Sequence, residues 1–456
     1  MDDEPPEPLY PVNISSSDTS RVLDVTSPKQ LPYEILSNIF ARAIAANGCY
    51  ENRRRQIHPL LAFRATCKYW YHVIIGNRAL WSHIDVFFDG CRGDMYSFHI
   101  NNSTRLWLQR SKNGPIHLHF VTGYGDSHVR MSELEQIFQP YANHIAAVTF
   151  SHQWPEEIVR DILKVCHTHA VPGTLKHLTV AKVYITENVG TSYQHLKWPM
   201  NFLRGLTSLY IGHLDDKIGL RMNQLWSILV NSPQMRILEL KECHIVSSEK
   251  FEPKDIPAVP LHSLRVLELR NIEDLELLQL LQAIQTGNSR LHFGVSVDES
   301  DSTILAAIKS FIKRTRIVSL GLGQDAVEIA EDLSVLPELH TLHFDLNHGY
   351  WMRIGLLVDV TTRTPKWPNI RNLHFSNGYI RGEADRELIR CLVDAYHLKE
   401  IYFVGFTILY HGYYTNWRLD NRNEEKVMDY VTQRVDVVST AYSDPPWDIL
   451  AEKRVL

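Results

Sequence analysis

The sequence predicts an α/β protein in which a small helical domain precedes a long stack of repeated strand-and-helix units. Two observations predict this fold class. Between Leu31 and Ile74, apolar residues recur at the three- and four-residue spacing of short amphipathic helices. From about residue 116 onwards, a short apolar strand pattern returns at a nearly constant interval. Such a period is typical of stacked units that are each too thin to bury an apolar face alone.

The first predicted helix begins close to Leu31 and carries a broad apolar stripe. Pro32 suits its first turn, where the missing N–H group of proline is not needed. A second apolar run extends from Leu60 to Ile74. Helices this short cannot bury so much apolar surface against each other, so we expect a protein partner to cover the remainder.

The order of residues in this region carries a family pattern. The pattern consists of Leu31-Pro32-x-Glu34-Ile35-Leu36-x-x-Ile39-Phe40, Cys67-Lys68-x-Trp70 and Leu80-Trp81-Ser82-His83-Ile84. It resembles the F-box, which docks a small Skp-type adaptor and so joins a cullin-based ubiquitin ligase. The segment from Ala46 to His58 is longer and more basic than the connection in that family. The resemblance implies these adaptor-binding residues: Leu31, Pro32, Ile35, Leu36, Ile39, Phe40, Leu60, Phe63, Cys67, Trp70 and Ile74.

The repeated pattern is L-x-x-L-x-L, with other apolar residues allowed at the three leucine positions. Its central apolar residue falls at 118, 148, 178, 209, 238, 267, 291, 320, 342, 373 and 401. Helix-like segments separate the copies, for example Glu156 to Leu163 and Glu387 to Val393. Units of this length resemble leucine-rich repeats, and Cys243 stands at the Asn or Cys position of that pattern. The resemblance implies a curved solenoid with a parallel sheet on its concave face.

These patterns divide the chain into five predicted regions. They are a disordered N-terminus (1–27), an F-box domain (28–88), a linker with a short helix (89–115), a leucine-rich-repeat solenoid of about eleven repeats (116–405) and a C-terminal cap and tail (406–456). The N-terminus is polar and rich in Pro, Ser and Asp, which is typical of disorder. A charged helix is expected from Glu424 to Val438, because the last repeat of a solenoid needs a cover.

Composition limits the partners and the cellular compartment that we expect for this protein. The net charge of −5 argues against a general nucleic-acid binder. Six cysteines without C-x-x-C spacing indicate reduced thiols in an intracellular protein, so we expect the cytoplasm, the nucleus or both. The acidic, Pro-rich opening does not resemble a signal peptide, and no apolar run is long enough to span a bilayer, so no membrane partner is expected.

Two stretches resemble sites of chemistry. Gly321-Leu322-Gly323-Gln324-Asp325-Ala326 follows a predicted strand, as a dinucleotide fingerprint would, and makes a nicotinamide-dependent oxidoreductase the enzyme alternative. These glycines also occupy repeat positions, so no cofactor is predicted. His117 and His119 share one face of a strand, but no third ligand stands at a fixed spacing, so no metal is predicted. No nucleophile, zincin or P-loop motif is present, and no catalytic residue is predicted.

The sequence therefore predicts a non-catalytic adaptor that binds a Skp-type protein of a cullin complex through the F-box and an unknown target through the repeats. The alternative is a leucine-rich-repeat scaffold without a ubiquitin role. Residues between the apolar positions should face the concave side, which predicts these target contacts: Tyr210, Glu239, Lys241, Glu268, Arg270, His343, His374 and Tyr402. The histidines among them should make target binding pH-dependent between about pH 6 and 8.

Overall fold

The structure is a computed structural model. The structure describes residues 31–46, 59–90, 98–100, 102–111, 113–121, 131–184, 198–214, 219–246, 257–297, 302–323, 336–346, 358–359, 362, 364–365, 367–404, 407–410, 413–416, 431, 433–435 and 437–441. The predicted disordered N-terminus and the basic connection after Ala46 lie outside these residues.

Short helices form the N-terminal part of the described chain. They are α1 (Tyr33–Ala46), α2 (Pro59–Thr66), α3 (Lys68–Gly76) and a 3-10 helix (Arg78–Trp81). Cys67 caps α3 from an extended backbone position, and its Sγ accepts the Trp70 N–H at 3.5 Å. The Trp81 indole Nε1–H donates to the Ile74 carbonyl at 2.8 Å, which fixes the 3-10 helix against the end of α3.

A sheet of fourteen strands follows these helices. Its strands, in spatial order, are β2 (Phe98–Ile100), β1 (His83–Gly90), β3 (Ile116–Val121), β4 (Ile145–Pro155), β5 (His177–Tyr184), β6 (Ser208–Leu214), β8 (Ile237–Cys243), β11 (Val266–Arg270), β13 (Leu291–Ser296), β14 (Ile317–Gly323), β15 (Thr341–Asp345), β18 (Asn372–Ser376), β20 (Glu400–Val404) and β23 (Val437–Ala441). Among the described strands of this sheet, only β2 is antiparallel to its neighbour.

Helices and small sheets connect the long strands. The helices are α4 (Asn102–Ser111), α5 (Met131–Phe138), a second 3-10 helix (Gln139–His144), α6 (Glu156–His169), α7 (Met222–Val230), α8 (Asp274–Ala283), α9 (Ser302–Arg314) and α10 (Gly382–Ala395). The short strands are β7 (Leu220–Arg221), β9 (Ile245–Val246), β10 (Val259–Leu261), β12 (Ile284–Thr286), β16 (Val358–Asp359), β17 (Thr364–Pro365), β19 (Tyr379–Arg381), β21 (Thr407–Tyr410) and β22 (Tyr413–Asn416). Among the described residues, no helix combines the length and apolar character needed to cross a bilayer.

The central apolar residues of the predicted copies pair with one another across the long sheet. Leu118 pairs with Val148, Leu238 with Leu267, and Leu373 with Ile401. One predicted position is wrong: Phe293, not Leu291, pairs with Leu267 and Leu320. The strand has an irregularity between Leu291 and His292, and a shift of two residues leaves the same side chains on the same face. The apolar pattern therefore could not reveal the shift from Leu291 to Phe293.

The sheet extends beyond the predicted range of repeats at both ends. β1, predicted as the last element of the F-box, is its first parallel strand, with Ile84 beside Leu118. β23 continues the series after β20, with Val438 beside Ile401. This strand includes the end of the predicted charged helix, while the start of that helix lies outside the described residues. The predicted linker at 89–115 contains strand β2 (Phe98–Ile100) as well as its predicted helix, which begins at Asn102.

The apolar side of the sheet is a continuous core. Phe344, Phe375 and Phe403 stack along it with ring centroids 5.8 and 5.7 Å apart. Cys243 is also buried, and its thiol donates to the Ile211 carbonyl at 3.0 Å and the Lys241 carbonyl at 3.2 Å. Burial raises the pKa of this thiol to about 12, so it remains a donor. Cys243 therefore ties the end of β8 to β6.

Replacing Cys243 with arginine should reduce the free energy of unfolding by at least about 3 kcal/mol, because an unpaired charge would occupy this site. Urea unfolding followed by circular dichroism measures the change. Gln285→Arg, at an exposed position of β12, is the control and should leave the midpoint nearly unchanged. Equal midpoints for both variants would contradict the inward orientation of Cys243.

Candidate functional site

Helix α1 has one apolar face inside the N-terminal domain. Leu36 and Phe40 on this face are each only 1% exposed. The Phe40 ring stacks on Phe63 at 4.8 Å and meets the edge of Trp70 at 5.0 Å. Because these aromatic contacts join α1, α2 and α3, this face serves the fold of the helices.

A second apolar face of α1 points to solvent. Leu31, just before the helix, is 48% exposed, Ile35 is 47% exposed and Ile39 is 45% exposed. Their four-residue spacing aligns them along one side of the helix. We call these three residues the outward apolar patch. The Tyr69 hydroxyl donates to the Leu31 carbonyl at 2.9 Å and so holds the start of the patch against α3.

The eleven predicted adaptor-binding residues thus divide by position. Leu36, Phe40, Leu60 and Ile74 are buried; Phe63 and Trp70 are half-buried; and Leu31, Pro32, Ile35, Ile39 and Cys67 are exposed. The structure also exposes two tyrosines that the sequence reasoning missed: Tyr33 is 40% and Tyr71 43% exposed. Tyr71 stands one residue after Trp70, away from the apolar spacing on which the prediction relied.

The polar face of the long sheet carries a row that lies between the last two apolar positions of each strand. We call it the central polar row: Asp85, His119, Thr149, Thr179, Tyr210, Glu239, Glu268, Gly294, Gly321, His343, His374 and Tyr402. Glu239 and Glu268 are neighbours in this row and both are buried. Lys241 Nζ lies 3.1 Å from Glu239 Oε2, and Arg270 Nε lies 2.8 Å from Glu268 Oε2. Each buried carboxylate therefore has a cation from its own strand.

Arg270 also reaches far along the sheet. Its Nη1 lies 2.8 Å from Asp345 Oδ2, although strands β13 and β14 lie between β11 and β15. At about 4.8 Å per strand, the two backbones are roughly 14 Å apart. Burial lowers the pKa of Arg270, but the carboxylates of Glu268 and Asp345 more than offset this and raise it. The guanidinium is therefore charged and shared between two carboxylates.

Two glycines of the intervening strands lie close to side chains beside this contact. A Cβ atom at Gly294 would overlap the Glu268 carboxylate, and one at Gly323 would overlap the Ser296 side chain. A glycine inside a strand often marks such a close approach. Gly321 and Gly323 belong to the dinucleotide-like stretch, yet both lie within β14 and not in a loop after it. Gly323 therefore has a packing role in the sheet that needs no nucleotide.

The eight predicted target-contact residues also divide by accessibility. Glu239, Glu268 and His343 are buried, whereas Tyr210, Lys241, Arg270, His374 and Tyr402 are half-buried. His343 Nε2 lies 2.9 Å from Ser376 Oγ, and the rings of His374 and Tyr402 meet edge to face at 4.7 Å. Each of the buried three has a polar contact within the chain, although Glu268 Oε1 has no hydrogen-bond partner among the described residues. The accessible part of this predicted surface consists of the other five residues.

The two histidines of this surface, His343 and His374, have pKa values below the ordinary value for histidine. Burial holds the pKa of His343 well below its usual range and lowers the pKa of His374 to about 4. Both rings are therefore neutral throughout the range from pH 6 to 8. The expectation that these histidines change charge in that range is wrong, because it assumed exposed side chains.

Four histidines gather at the other end of the polar face. The His83 ring lies 4.5 Å from that of His117 and 5.5 Å from that of His119, and the His117 ring lies 6.2 Å from that of His177. Burial, followed by the neighbouring His83 and His177, lowers the pKa of His117 to about 3. Within the described residues, no group of three or more histidine, cysteine or acidic side chains could hold a metal ion.

Gly294→Ala should reduce the free energy of unfolding by about 1–3 kcal/mol, because the added methyl group meets a Glu268 carboxylate that is buried and held by Arg270. Chemical denaturation measures the loss. The matched control is Gly76→Ala, where the nearest atom to the new Cβ is the Tyr33 hydroxyl at an ordinary 3.7 Å. A loss no larger than in the control would contradict the close packing over Gly294.

His374 should make stability depend on pH below neutrality. Its pKa of about 4 lies below the ordinary value of about 6.5, so the unfolded chain binds its proton more readily. This contribution to stability is complete above about pH 6.5 and is lost as the pH falls towards 4. Relative to the parent chain, His374→Gln should lose about 1–2 kcal/mol less between pH 7.5 and pH 4.5 in urea titrations. His72→Gln, at an exposed position, is the control and should follow the parent.

A comparison with known protein families identifies the N-terminal helices. The model of the F-box-like family matches residues 29–86, which confirms the F-box predicted from sequence. This match ends within β1 and does not reach the rest of the repeated strands. No curated protein matches the chain.

Proposed function

We propose that this chain, which contains an F-box-like domain at residues 29–86, is the substrate-recognition subunit of a Skp–cullin–F-box-type ubiquitin ligase. F-box domains usually belong to non-catalytic adaptor subunits and typically bind Skp-type adaptors. In this proposal the F-box binds the adaptor and the repeated strands form a leucine-rich-repeat solenoid that binds a target protein. Such a subunit would act in the cytoplasm, the nucleus or both.

The outward apolar patch is the observation that carries the adaptor proposal. An exposed leucine or isoleucine is ordinary when single. Three of them at four-residue spacing are the arrangement that a partner groove accepts from a helix. The opposite face of α1 is already filled by Phe40 and its aromatic neighbours, so the helix is apolar on two sides. A partner would therefore cover the patch without disturbing the helical core.

The second half of the proposal assigns target binding to the accessible part of the polar face. Lys241 Nζ lies 5.2 Å from the centre of the Tyr210 ring, and Tyr402 stands beside His374. Aromatic and cationic side chains of this kind often anchor protein interfaces. The chain itself would perform no bond chemistry. Holding a target near a ubiquitin-charged enzyme raises the effective concentration of target lysines, and this tethering would be its contribution.

A second candidate is a scaffold protein without a ubiquitin role, in which the N-terminal helices only cap the sheet. The path of the chain favours this possibility in one respect. The 3-10 helix leads directly into β1, and the guanidinium of Arg110 on α4 lies 4.5 Å from the centre of the Trp81 ring, so the N-terminal helices are joined to β1 and packed against α4. Adaptor binding distinguishes the two functions, because a simple cap needs no partner.

Ile35→Asp combined with Ile39→Asp should weaken binding to a Skp-type adaptor at least about 30-fold, which corresponds to about 2 kcal/mol. Both side chains are exposed, so the folded domain should tolerate the change. Isothermal titration calorimetry of the full chain with the purified adaptor gives the affinities. Leu275→Asp is the control, because Leu275 is 52% exposed on α8, far along the sequence from the F-box.

The control should bind as the parent does, and all three proteins should have the same melting temperature. Full affinity in the double variant would remove the outward apolar patch from the interface. A parent chain that is folded but does not bind the adaptor would favour the scaffold.

A further inference from the structure

Two buried polar atoms without hydrogen-bond partners lie on one strand of the polar face. Asn372 and His374 are two residues apart on β18, so their side chains share a face. Asn372 Nδ2 donates to Thr341 Oγ1 at 3.0 Å, but Asn372 Oδ1 has no partner among the described residues, and neither has His374 Nε2. Folded proteins leave few buried polar atoms unpaired. Two such atoms on the same strand face therefore indicate a ligand.

The next strand places a carboxylate and an aromatic ring beside these atoms. In the register of β18 and β20, Glu400 lies opposite Asn372 and Tyr402 lies opposite His374. The rings of His374 and Tyr402 meet at 4.7 Å with an angle of 76°. Burial, followed by the nearby carboxylate of Glu400, raises the pKa of Tyr402. Glu400 is half-buried, and within the described residues no cation is paired with it.

This part of the polar face favours a positively charged ligand. None of the strands β15, β18, β20 and β23 contains a lysine or an arginine. The guanidinium of Arg270 reaches β15, where it is already paired with Asp345. His374 is neutral between pH 6 and 8 and does not repel a cation in that range. The carboxylate of Glu400 therefore sets the charge preference of this region.

We propose that Asn372, His374, Glu400 and Tyr402 bind an arginine side chain of the target protein. The inference rests on the proposed function, because it names the target residue that the polar face takes. Asn372 Oδ1 and the carboxylate of Glu400 are acceptors, and Nε2 of neutral His374 accepts when the ring proton is on Nδ1. A guanidinium carries five N–H donors in a planar fork and stacks on aromatic rings such as that of Tyr402.

The spacing of the acceptors favours a guanidinium over an ammonium. Two residues along a strand span about 6.6 Å, so the acceptors of Asn372 and His374 start from well-separated backbone positions. The donors of a guanidinium point outward in several directions, whereas an ammonium is a compact point charge. Both strand residues are half-buried as wholes. The ligand can therefore reach the two atoms through changes in side-chain torsions alone.

The neighbouring strand already binds a guanidinium with the same kinds of groups. Arg270 Nη1 lies 2.8 Å from Asp345 Oδ2, and its Nη2 lies 3.4 Å from His343 Nδ1. His343 and His374 are adjacent in the register of β15 and β18, and their ring centres are 6.3 Å apart. β18 and β20 thus repeat the combination of a neutral histidine and a carboxylate, which in this case would take an arginine from the target.

The test uses the full chain and the peptide acetyl-Gly-Arg-Gly-amide as the probe. Matched peptides carry lysine or citrulline in place of arginine, and citrulline has the shape of arginine without its charge. Saturation-transfer difference NMR measures such weak binding. We expect the arginine peptide to bind at least about fivefold more tightly than the lysine peptide and at least about tenfold more tightly than the citrulline peptide.

Variants of the chain locate the binding site. Glu400→Gln and Asn372→Leu should each weaken binding of the arginine peptide at least about fivefold. Glu387→Gln is the matched control, because it removes an exposed carboxylate on α10, and it should bind the peptide as the parent does. Should Asn372→Leu fail to fold, Glu400→Gln decides the same question, because Glu400 is only half-buried.

Each of the other outcomes would overturn a part of the inference. Absence of binding in the parent, or unchanged binding in Glu400→Gln, would overturn the site. Equal binding of the arginine and citrulline peptides would overturn the recognition of a cation, and equal binding of the lysine peptide would overturn the preference for a guanidinium. The peptide experiment needs no adaptor. A parent chain that binds the peptide but not the adaptor would contradict the ubiquitin ligase role alone, whereas one that binds only the adaptor would contradict this site alone.

Discussion

The lateral register of the parallel strands is the constraint on which the rest of this structure depends. The central apolar residues pair from Ile84 on β1 to Val438 on β23, one strand after another. Because side chains alternate along a strand, alignment of this row fixes which residues point to the core and which form the polar face. The core, the ion pairs around Arg270 and the histidine cluster are all consequences of that alignment. A slip by one residue in a single strand would exchange its two faces.

Much of this arrangement could be predicted from sequence because it depends on local periodicity. Helical spacing and the residue pattern identified the F-box, and the strand period identified most of the aligned central residues. The exception is the strand that contains Leu291 and Phe293. Either residue could be taken as the central one, because both choices keep the same alternation of apolar and polar side chains. The role of β1 was missed for another reason. Its residues completed the F-box pattern and therefore were not compared with the repeated strands.

Long-range contacts of the polar face could not be predicted from the period. Arg270 and Asp345 are 75 residues apart, and their contact depends on how far a side chain extends across two intervening strands. Gly321 and Gly323 of β14 stand out in the sequence, but their resemblance to a nucleotide-binding motif indicates a different chemistry. The burial of Glu268 and His343 could not be predicted either. Both have polar side chains and were expected at the surface, yet neighbours on the sheet enclose them. In the F-box, the apolar pattern of α1 likewise does not distinguish the residues that face the core from those that face solvent.

The contact between Arg270 and Asp345 changes how cooperative this part of the sheet is. In an array whose units touch only their immediate neighbours, stability is close to a sum of unit and nearest-interface energies, and one segment can unravel while another persists. Arg270 connects β11 with β15 across β13 and β14, so it adds a coupling that skips two strands. Opening β13 or β14 would disturb the part of the sheet across which this ion pair extends. Because of this coupling, we expect these four strands to open together more often than strands that touch only their immediate neighbours.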